Sequence, residues 1–171
     1  RLQEWTEIYD ELYGQEGERA TTFDIVGWNS SYTGAPLSAA AMREQVAGTV
    51  GRIAALGGQR ILEIGCGTGL LLWELAGGCT RYVGTDFSTP AVAAVAQEVA
   101  ARGWDHVEVW CRAADDFSGV AAGAFDVVVL NSVVQYFPGM DYLQRVLAGA
   151  ARARRPRGFV FVGGVDERRL Q

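Results

Sequence analysis

The sequence predicts an α/β fold: a doubly wound, mostly parallel sheet between two layers of helices, a three-layer sandwich. Three observations carry this. From Arg60 onward, short apolar runs alternate with helix-like segments at the spacing of crossover units. Two of those runs, "DVVVL" and "FVFV", are apolar at successive positions, the pattern of strands buried on both faces. The first run, in "RILEIGCGTGLLLWELA" from Arg60 to Ala76, passes through three glycines directly into a leucine-rich helical pattern.

The opening segment sets Trp5, Ile8, Tyr9, Leu12 and Tyr13 on one helical face and ends at the breaker-rich "GQEGE". "FDIVGWNSSYTGAPLS" has no clear period and reads as an ordered loop. Ser38 is placed to cap a helix with Met42, Val46, Val50 and Ile53 on its apolar side, stopped by Gly57 and Gly58. Arg60–Gly65 then reads as strand and Leu70–Ala76 as helix, with Gly77 and Gly78 as its stop. Arg81–Asp86 is the second strand. Thr89 is expected to cap the next helix, with Pro90 at its first position and Gly103 beyond its end. His106–Cys111 and Phe125–Asn131 are the third and fourth strands. Pro138 opens a helical region reaching about Ala153, and "RPRG" turns into the fifth strand, "FVFVGG".

Composition narrows the function. The chain has 171 residues, 49% of them hydrophobic and 20% charged, enough for one domain with a real core. A formal charge of −5 lacks the basic footprint of a nucleic-acid binder. No apolar run approaches the roughly 18–20 residues that span a bilayer, and the polar, acidic opening does not read as a signal peptide. The expected compartment is the cytosol. The first residue is not Met, which suggests a piece of something longer. Every basic residue is Arg, so a catalytic Lys is excluded. Cys66, Cys79, Cys111 and the single histidine, His106, make no metal-ligand spacing, so no metal is expected. His106 reads as a surface residue, and Cys66 as a small residue lining the glycine turn.

A strand, a glycine turn and a helix form the opening of many nucleotide-binding folds. Here the glycines are Gly65, Gly67 and Gly69, not the dinucleotide spacing, and the Lys of a P-loop is missing. Glu63 completes E-x-G-x-G-x-G. With that pattern the chain resembles the class I S-adenosylmethionine-dependent methyltransferases, which are Rossmann-like. The resemblance implies that the loop backbone takes the methionine end of the cofactor, with the helix N-terminus favouring its carboxylate. Glu63 would orient the loop or the ammonium. Asp86, with Phe87 beside it, would accept from the ribose hydroxyls at the end of the second strand. The adenine would lie against "RAADDFSG", with Asp115 accepting from the exocyclic amine, the Ala114 N–H on a ring nitrogen and Phe117 as a ring contact. Asp116 reads as a solvated turn residue.

The fourth strand ends in "NSVVQYFPG". Ligands of open α/β sheets lie beyond the carboxyl ends of the strands, so Asn131, Ser132, Gln135 and Tyr136 are candidates for the substrate side. Asn131, Gln135 and Tyr136 are the catalytic candidates, and Asn131 is also a candidate for holding the cofactor. Gln135 and Tyr136 read equally as helix-start polarity and packing. His106 falls at the far end of the sheet, which leaves no obvious strong base. That favours an amine nucleophile, already partly neutral near pH 7, over an alcohol or carbon acid.

"FDIVGWNSSYTGAPL", "RYVGTDFS" and "VVLNSVVQYFPGMDYL" are similar to methyltransferase domains embedded in nonribosomal peptide synthetases. Such domains interrupt an adenylation domain and methylate a carrier-protein-tethered aminoacyl thioester, usually at its α-nitrogen. The resemblance implies adenylation and carrier domains as neighbours, S-adenosylhomocysteine as product, and a lid built around Trp28, Asn29, Ser30 and Tyr32. On this reading residues 1–37 are an N-terminal helix with the lid-like segment, and 38–171 the cofactor-binding domain. Two departures stand out. The chain stops after a fifth strand, where the class has two more, and Gly164 falls where such domains carry an acidic residue, with Asp166 slightly later. "RARRPRG" reads either as a docking site for an acidic carrier or as arginines complementing a helix C-terminus. A freestanding O-, C- or N-methyltransferase and a silent scaffolding insert are the other open readings.

Overall fold

The computed structural model describes residues 38–164. The expected N-terminal helix, the lid residues Trp28, Asn29, Ser30 and Tyr32, and Asp166 lie outside the described residues. The elements run α1 (Ala39–Ala54), β1 (Arg60–Ile64), α2 (Leu70–Leu75), β2 (Arg81–Asp86), α3 (Thr89–Ala101), β3 (Val107–Cys111), β4 (Phe125–Asn131), α4 (Met140–Ala153) and β5 (Arg154–Gly163). The strands form one sheet in the order β3-β2-β1-β4-β5, and every neighbouring pair is parallel. The chain winds outward from β1 to β3, then returns to the other side of β1 with β4. That reversal puts the topological switch point between β1 and β4.

Burial explains the alternation. Leu62, Ile64, Val83, Val127, Val128, Val129 and Leu130 are all buried. On one face Ile61, Tyr82, Val127 and Val129 meet α1, α2 and α3 through Met42, Val46, Ile53, Leu71, Leu72, Val95 and Val99. On the other, Leu62, Val83, Val128 and Leu130 meet α4 through Tyr142, Val146, Ala150 and Ala153. The β3–β4 connection carries no helix; Val120 and Phe117 in it cover that second face instead. Gly149 of α4 makes room for this, since a Cβ there would overlap the Phe117 ring.

The caps follow local chemistry. The Ser38 side chain accepts from Ala41 N–H at 3.2 Å, as expected. For α3 the cap is Ser88, whose hydroxyl accepts from Ala91 N–H; Thr89 is already the first helical residue and Pro90 the second. A hydroxyl one residue earlier wins because it reaches the N–H three positions on. Gly103 ends α3 at φ +64. β5 begins at Arg154, earlier than the expected turn, with a register irregularity opposite Phe125–Val127. Arg152 donates to the Val120 carbonyl, Arg154 to the Arg155 carbonyl, and Arg155 pairs with Asp126, so much of the basic run is structural. No described helix is long and apolar enough to cross a membrane.

Candidate functional site

The loop after β1 needs its glycines for backbone shape first. Gly65, Gly67 and Gly69 have φ of +78, +52 and +86, a region that costs any L side chain strain. Packing adds a second reason: a Cβ on Gly65 would lie 2.7 Å from Val133 Cγ2, and one on Gly69 2.7 Å from the Trp73 indole nitrogen. The loops after β1 and β4 therefore touch, Gly65 against Val133, directly above the switch point. The Trp73 indole also donates to the Thr68 carbonyl at 3.0 Å, bracing the loop from behind. Arg102 stacks on both Trp73 and Trp104 and pairs with Glu98, so this brace is itself held. The helix that follows is only six residues long.

Asp86 closes the loop from β2. One carboxylate oxygen accepts from Gly67 N–H at 2.9 Å and the other from Ser88 N–H at 2.9 Å. Phe87 follows it, half-buried at the strand end. These two bonds fix the aim of the carboxylate.

Glu63 is 3% exposed, below the loop on the α1–α3 side, and accepts from the Tyr82 hydroxyl at 2.7 Å. Burial raises its carboxyl from 4.5 to about 7, against the lowering effect of the Tyr82 bond, and the Asp86 charge adds to the rise. Burial also pushes the Cys66 thiol well up, helped by the Glu63 and Asp86 charges, so Cys66 stays an unreactive thiol. It fills the hollow over Gly84, where a Cβ would lie 3.1 Å from its sulfur.

Beyond β3, Arg145 pairs with Asp115 at 3.1 Å. Burial and the neighbouring Asp115 carboxylate push the Tyr142 hydroxyl up. The Asp115 carboxylate, expected to face adenine, is thus already paired with a guanidinium. Phe117 packs into the second-face core, lining a small cavity with Leu62, Ile64 and Ala114. Asp116 is exposed and accepts from Ser118 N–H, the solvated turn expected of it.

The end of β4 is different in kind. Ser132 is the one non-glycine described residue in the left-handed region, at φ +55, and its N–H donates to the Gly163 carbonyl at 2.9 Å. Asn131 Oδ1 and Gln135 Oε1 are buried with no hydrogen-bond partner. Gln135 and Tyr136 lie in the 3-10 turn Val134–Tyr136 that follows. Unpaired buried acceptors cost about 1–3 kcal/mol each, and both of these lie at the carboxyl end of the strand, beside the glycine loop. Two acceptors that the protein leaves unpaired there are what a site for an N–H-bearing ligand requires. His106 lies at the opposite end of the sheet, as expected, but is partly buried rather than on the surface, with its Nε2 2.9 Å from the Ala76 carbonyl. Among the described residues no group of three His, Cys, Asp or Glu is placed to hold a metal ion.

Sequence reasoning passed over Tyr82, Trp73, Arg145, Val133 and Gly163. Each acts through a partner on another element, and only the strand register shows that Tyr82 is diagonal to Glu63 on one face.

The fold, the glycine loop and the carboxyl-end site define an S-adenosylmethionine-dependent methyltransferase. The chain belongs to the methyltransferase domain family, whose model matches residues 62–160. It is 45% identical over 163 residues to chondramide synthase cmdD of Chondromyces crocatus, covering 94% of this chain and 4% of the synthase. It is 42% identical over 165 residues to a protein of Salinispora arenicola described as "Probable non-canonical nonribosomal peptide synthetase (NRPS) CymA", covering 96% of this chain and 2% of CymA. The chain thus spans a small fraction of these curated relatives. Among solved structures, one described as "Conversion of a Disulfide Bond into a Thioacetal Group during Echinomycin Biosynthesis" is 27% identical, with TM-score 0.63, over 92% of this chain and 60% of that one. The [4+2]-cyclase SpnF shares the fold at 23% identity and TM-score 0.63, over 94% of this chain and 59% of SpnF. A cyclase on the same scaffold means that the reaction has to be argued from the site, not from the fold.

Proposed function

We propose that this domain transfers the methyl group of S-adenosylmethionine to the amino nitrogen of a carrier-protein-tethered aminoacyl or peptidyl thioester, inside a peptide synthetase with adenylation and carrier domains as neighbours. The observation that carries it is the pair of unpaired buried acceptors, Asn131 Oδ1 and Gln135 Oε1, at the carboxyl end of β4. A primary amine brings two N–H donors. With both held by amide oxygens, its lone pair is left for bonding to carbon. A hydroxyl or thiol brings one donor and leaves an acceptor orphaned.

The cofactor fits the rest of the site. The left-handed backbone of Gly65, Gly67 and Gly69, with Cys66 in the turn, would take its methionine end. Glu63 would hold the loop from beneath. Asp86, aimed by Gly67 and Ser88, would accept from the ribose, with Phe87 alongside. Ala114, Asp115 and Phe117 would flank the adenine. When bound, S-adenosylmethionine supplies an electrophilic methyl on a sulfonium sulfur. The amine nitrogen forms its bond to that carbon as the carbon–sulfur bond breaks. The proton of the new ammonium then passes to water, since amide oxygens accept hydrogen bonds but not protons. Positioning and exclusion of water are what Asn131, Gln135 and Tyr136 contribute, with Ser132 at their turn. The relatedness to peptide synthetases supports the carrier-tethered substrate.

The test is incubation of the chain with methyl-labelled S-adenosylmethionine and an aminoacyl thioester, on a carrier protein or on a pantetheine mimic. Label on the α-nitrogen, as a monomethyl product, is the expected result. Label on oxygen or carbon would overturn the amine assignment. No label, despite saturable cofactor binding, would favour a scaffolding insert.

A further inference from the structure

Two glycines at the end of β5 are packed against the acceptor-bearing turn of β4. Asn131 pairs in register with Gly163. A Cβ on Gly163 would lie 2.7 Å from Asn131 Oδ1 and 2.7 Å from the Phe161 ring. A Cβ on Gly164 would overlap Ser132 Oγ and come within 3.0 Å of the Ser132 backbone nitrogen. Gly164 itself has φ +62, and the Ser132 N–H is tied to the Gly163 carbonyl at 2.9 Å. The Ser132 hydroxyl in turn accepts from the Asn131 side-chain nitrogen at 3.4 Å, which leaves Asn131 Oδ1 as the free end of the carboxamide.

The Asn131 carboxamide donates to Ser132, and its oxygen lies against the bare backbone of Gly163 in β5. Ser132 adopts a left-handed conformation that is disfavoured for an L residue. It is held there by the β5 carbonyl, and no side chain at 164 fits beside it. Phe161 closes the other side of Gly163.

We propose that Gly163 and Gly164 are positioning residues for methyl transfer: together with left-handed Ser132 they set the Asn131 carboxamide so that its oxygen faces the point where the methyl leaves the cofactor. This rests on the reading that Asn131 and Gln135 hold the reacting amine. It adds a second strand to the site and explains the glycine at 164 as a steric requirement of the neighbouring turn. A side chain at 164 pushes Ser132 out of its conformation and swings the acceptor away, while the β1 loop and Asp86 stay in place.

The experiment compares two cofactor analogues by calorimetry, so no acceptor substrate is needed. S-adenosylhomocysteine has nothing at the methyl position; sinefungin carries an amine there. The wild-type chain is expected to prefer sinefungin by about tenfold, the worth of one charge-assisted hydrogen bond. Gly164→Ala is expected to keep S-adenosylhomocysteine affinity within about twofold and lose most of that preference, on the same reasoning. Ser132→Ala removes the hydroxyl that accepts from the Asn131 side chain and is expected to lose much of the preference as well. Four results would overturn the proposal: no sinefungin preference in the wild type, a preference retained by Gly164→Ala, a full preference retained by Ser132→Ala, or loss of S-adenosylhomocysteine binding by Gly164→Ala, which would make the glycine merely structural. If the preference follows the expected pattern but no aminoacyl thioester is methylated, the turn stands and the substrate assignment fails. A wild-type chain that binds neither analogue overturns both.

Discussion

The two ends of the same sheet treat buried polar atoms in opposite ways. At the amino ends of β1 and β4, Asp126 is 4% exposed and fully engaged. One oxygen accepts from Gln59 N–H at 2.8 Å and Arg60 N–H at 2.9 Å; the other meets the Arg60 guanidinium at 3.0 Å and the Arg155 Nε at 3.1 Å. Burial alone would raise its carboxyl, yet these hydrogen bonds and the Arg60 charge hold it below the usual range. At the carboxyl ends of the same strands, Asn131 and Gln135 leave acceptors unpaired, Ser132 is strained, and Glu63 is a buried acid pushed to about 7. One end directs its polar groups to stability. The other leaves two buried acceptors unpaired, which the proposed function assigns to a ligand.

The comparison breaks first, and most visibly, at Asp126. Asp126→Ala strips two backbone N–H groups and two guanidinium groups of their acceptor, so stability should fall by about 3–5 kcal/mol. Urea denaturation measures it, and cofactor affinity of the remaining folded protein should be unchanged. A drop under about 1 kcal/mol would mean that the amino end is no clamp.

Glu63 gives the next largest effect, with a definite sign. Below pH 4.5 its carboxyl is neutral in folded and unfolded chains alike. From pH 4.5 to about 7 the unfolded chain ionises while the folded chain resists, so the folded state loses ground as pH rises, and above about 7 the loss is complete. Glu63→Gln keeps an acceptor for Tyr82 and does not titrate. Relative to it, the wild-type chain without cofactor should lose stability on the order of 3 kcal/mol between pH 4.5 and 8. A flat difference across that range would place Glu63 in a wetter setting.

Asp86→Ala should weaken S-adenosylmethionine binding by about 1–3 kcal/mol, through unpaired ribose hydroxyls and a loosened Gly67. Unchanged affinity in a calorimetric titration would remove Asp86 from the site. Smallest in stability, and therefore sharpest for the comparison, are Asn131→Ala and Gln135→Ala. Deleting an acceptor that has no partner should change stability by less than about 1 kcal/mol in either direction, while methyl transfer to an amine falls by at least about tenfold, the worth of one lost oriented hydrogen bond. A large loss of stability in either variant would show that its amide serves the fold.

Much of this division was legible in the sequence, and the illegible part has a physical pattern. The alternating elements, the "DVVVL" strand and the glycine loop are local signals, and each resolved into the expected element, whereas "FVFV", expected to be buried on both faces, is the outermost strand of the described sheet, with Phe159 and Val162 exposed. Asn131, Gln135 and Asp86 were legible as strand-end residues because a parallel sheet sends its loops to one end. What register decides was not legible: Tyr82 under Glu63, Val133 over Gly65, Gly163 against Asn131, Arg145 on Asp115. Those pairs are 19 to 68 residues apart in sequence or lie on different strands. The Ser88 cap was missed for a smaller reason, two adjacent hydroxyls of which only geometry selects one. Asp126 looked like any polar start to an apolar strand, and nothing short of the sheet order shows four donors converging on it.

The central claim is that the carboxyl end of the sheet is a cofactor site poised for methyl transfer, and titrating the chain calorimetrically with S-adenosylmethionine, with NADH as control, tests it most directly. One saturable site, displaced by S-adenosylhomocysteine and indifferent to NADH, is the result expected. A folded chain that takes up no S-adenosylmethionine, or prefers NADH, would contradict it.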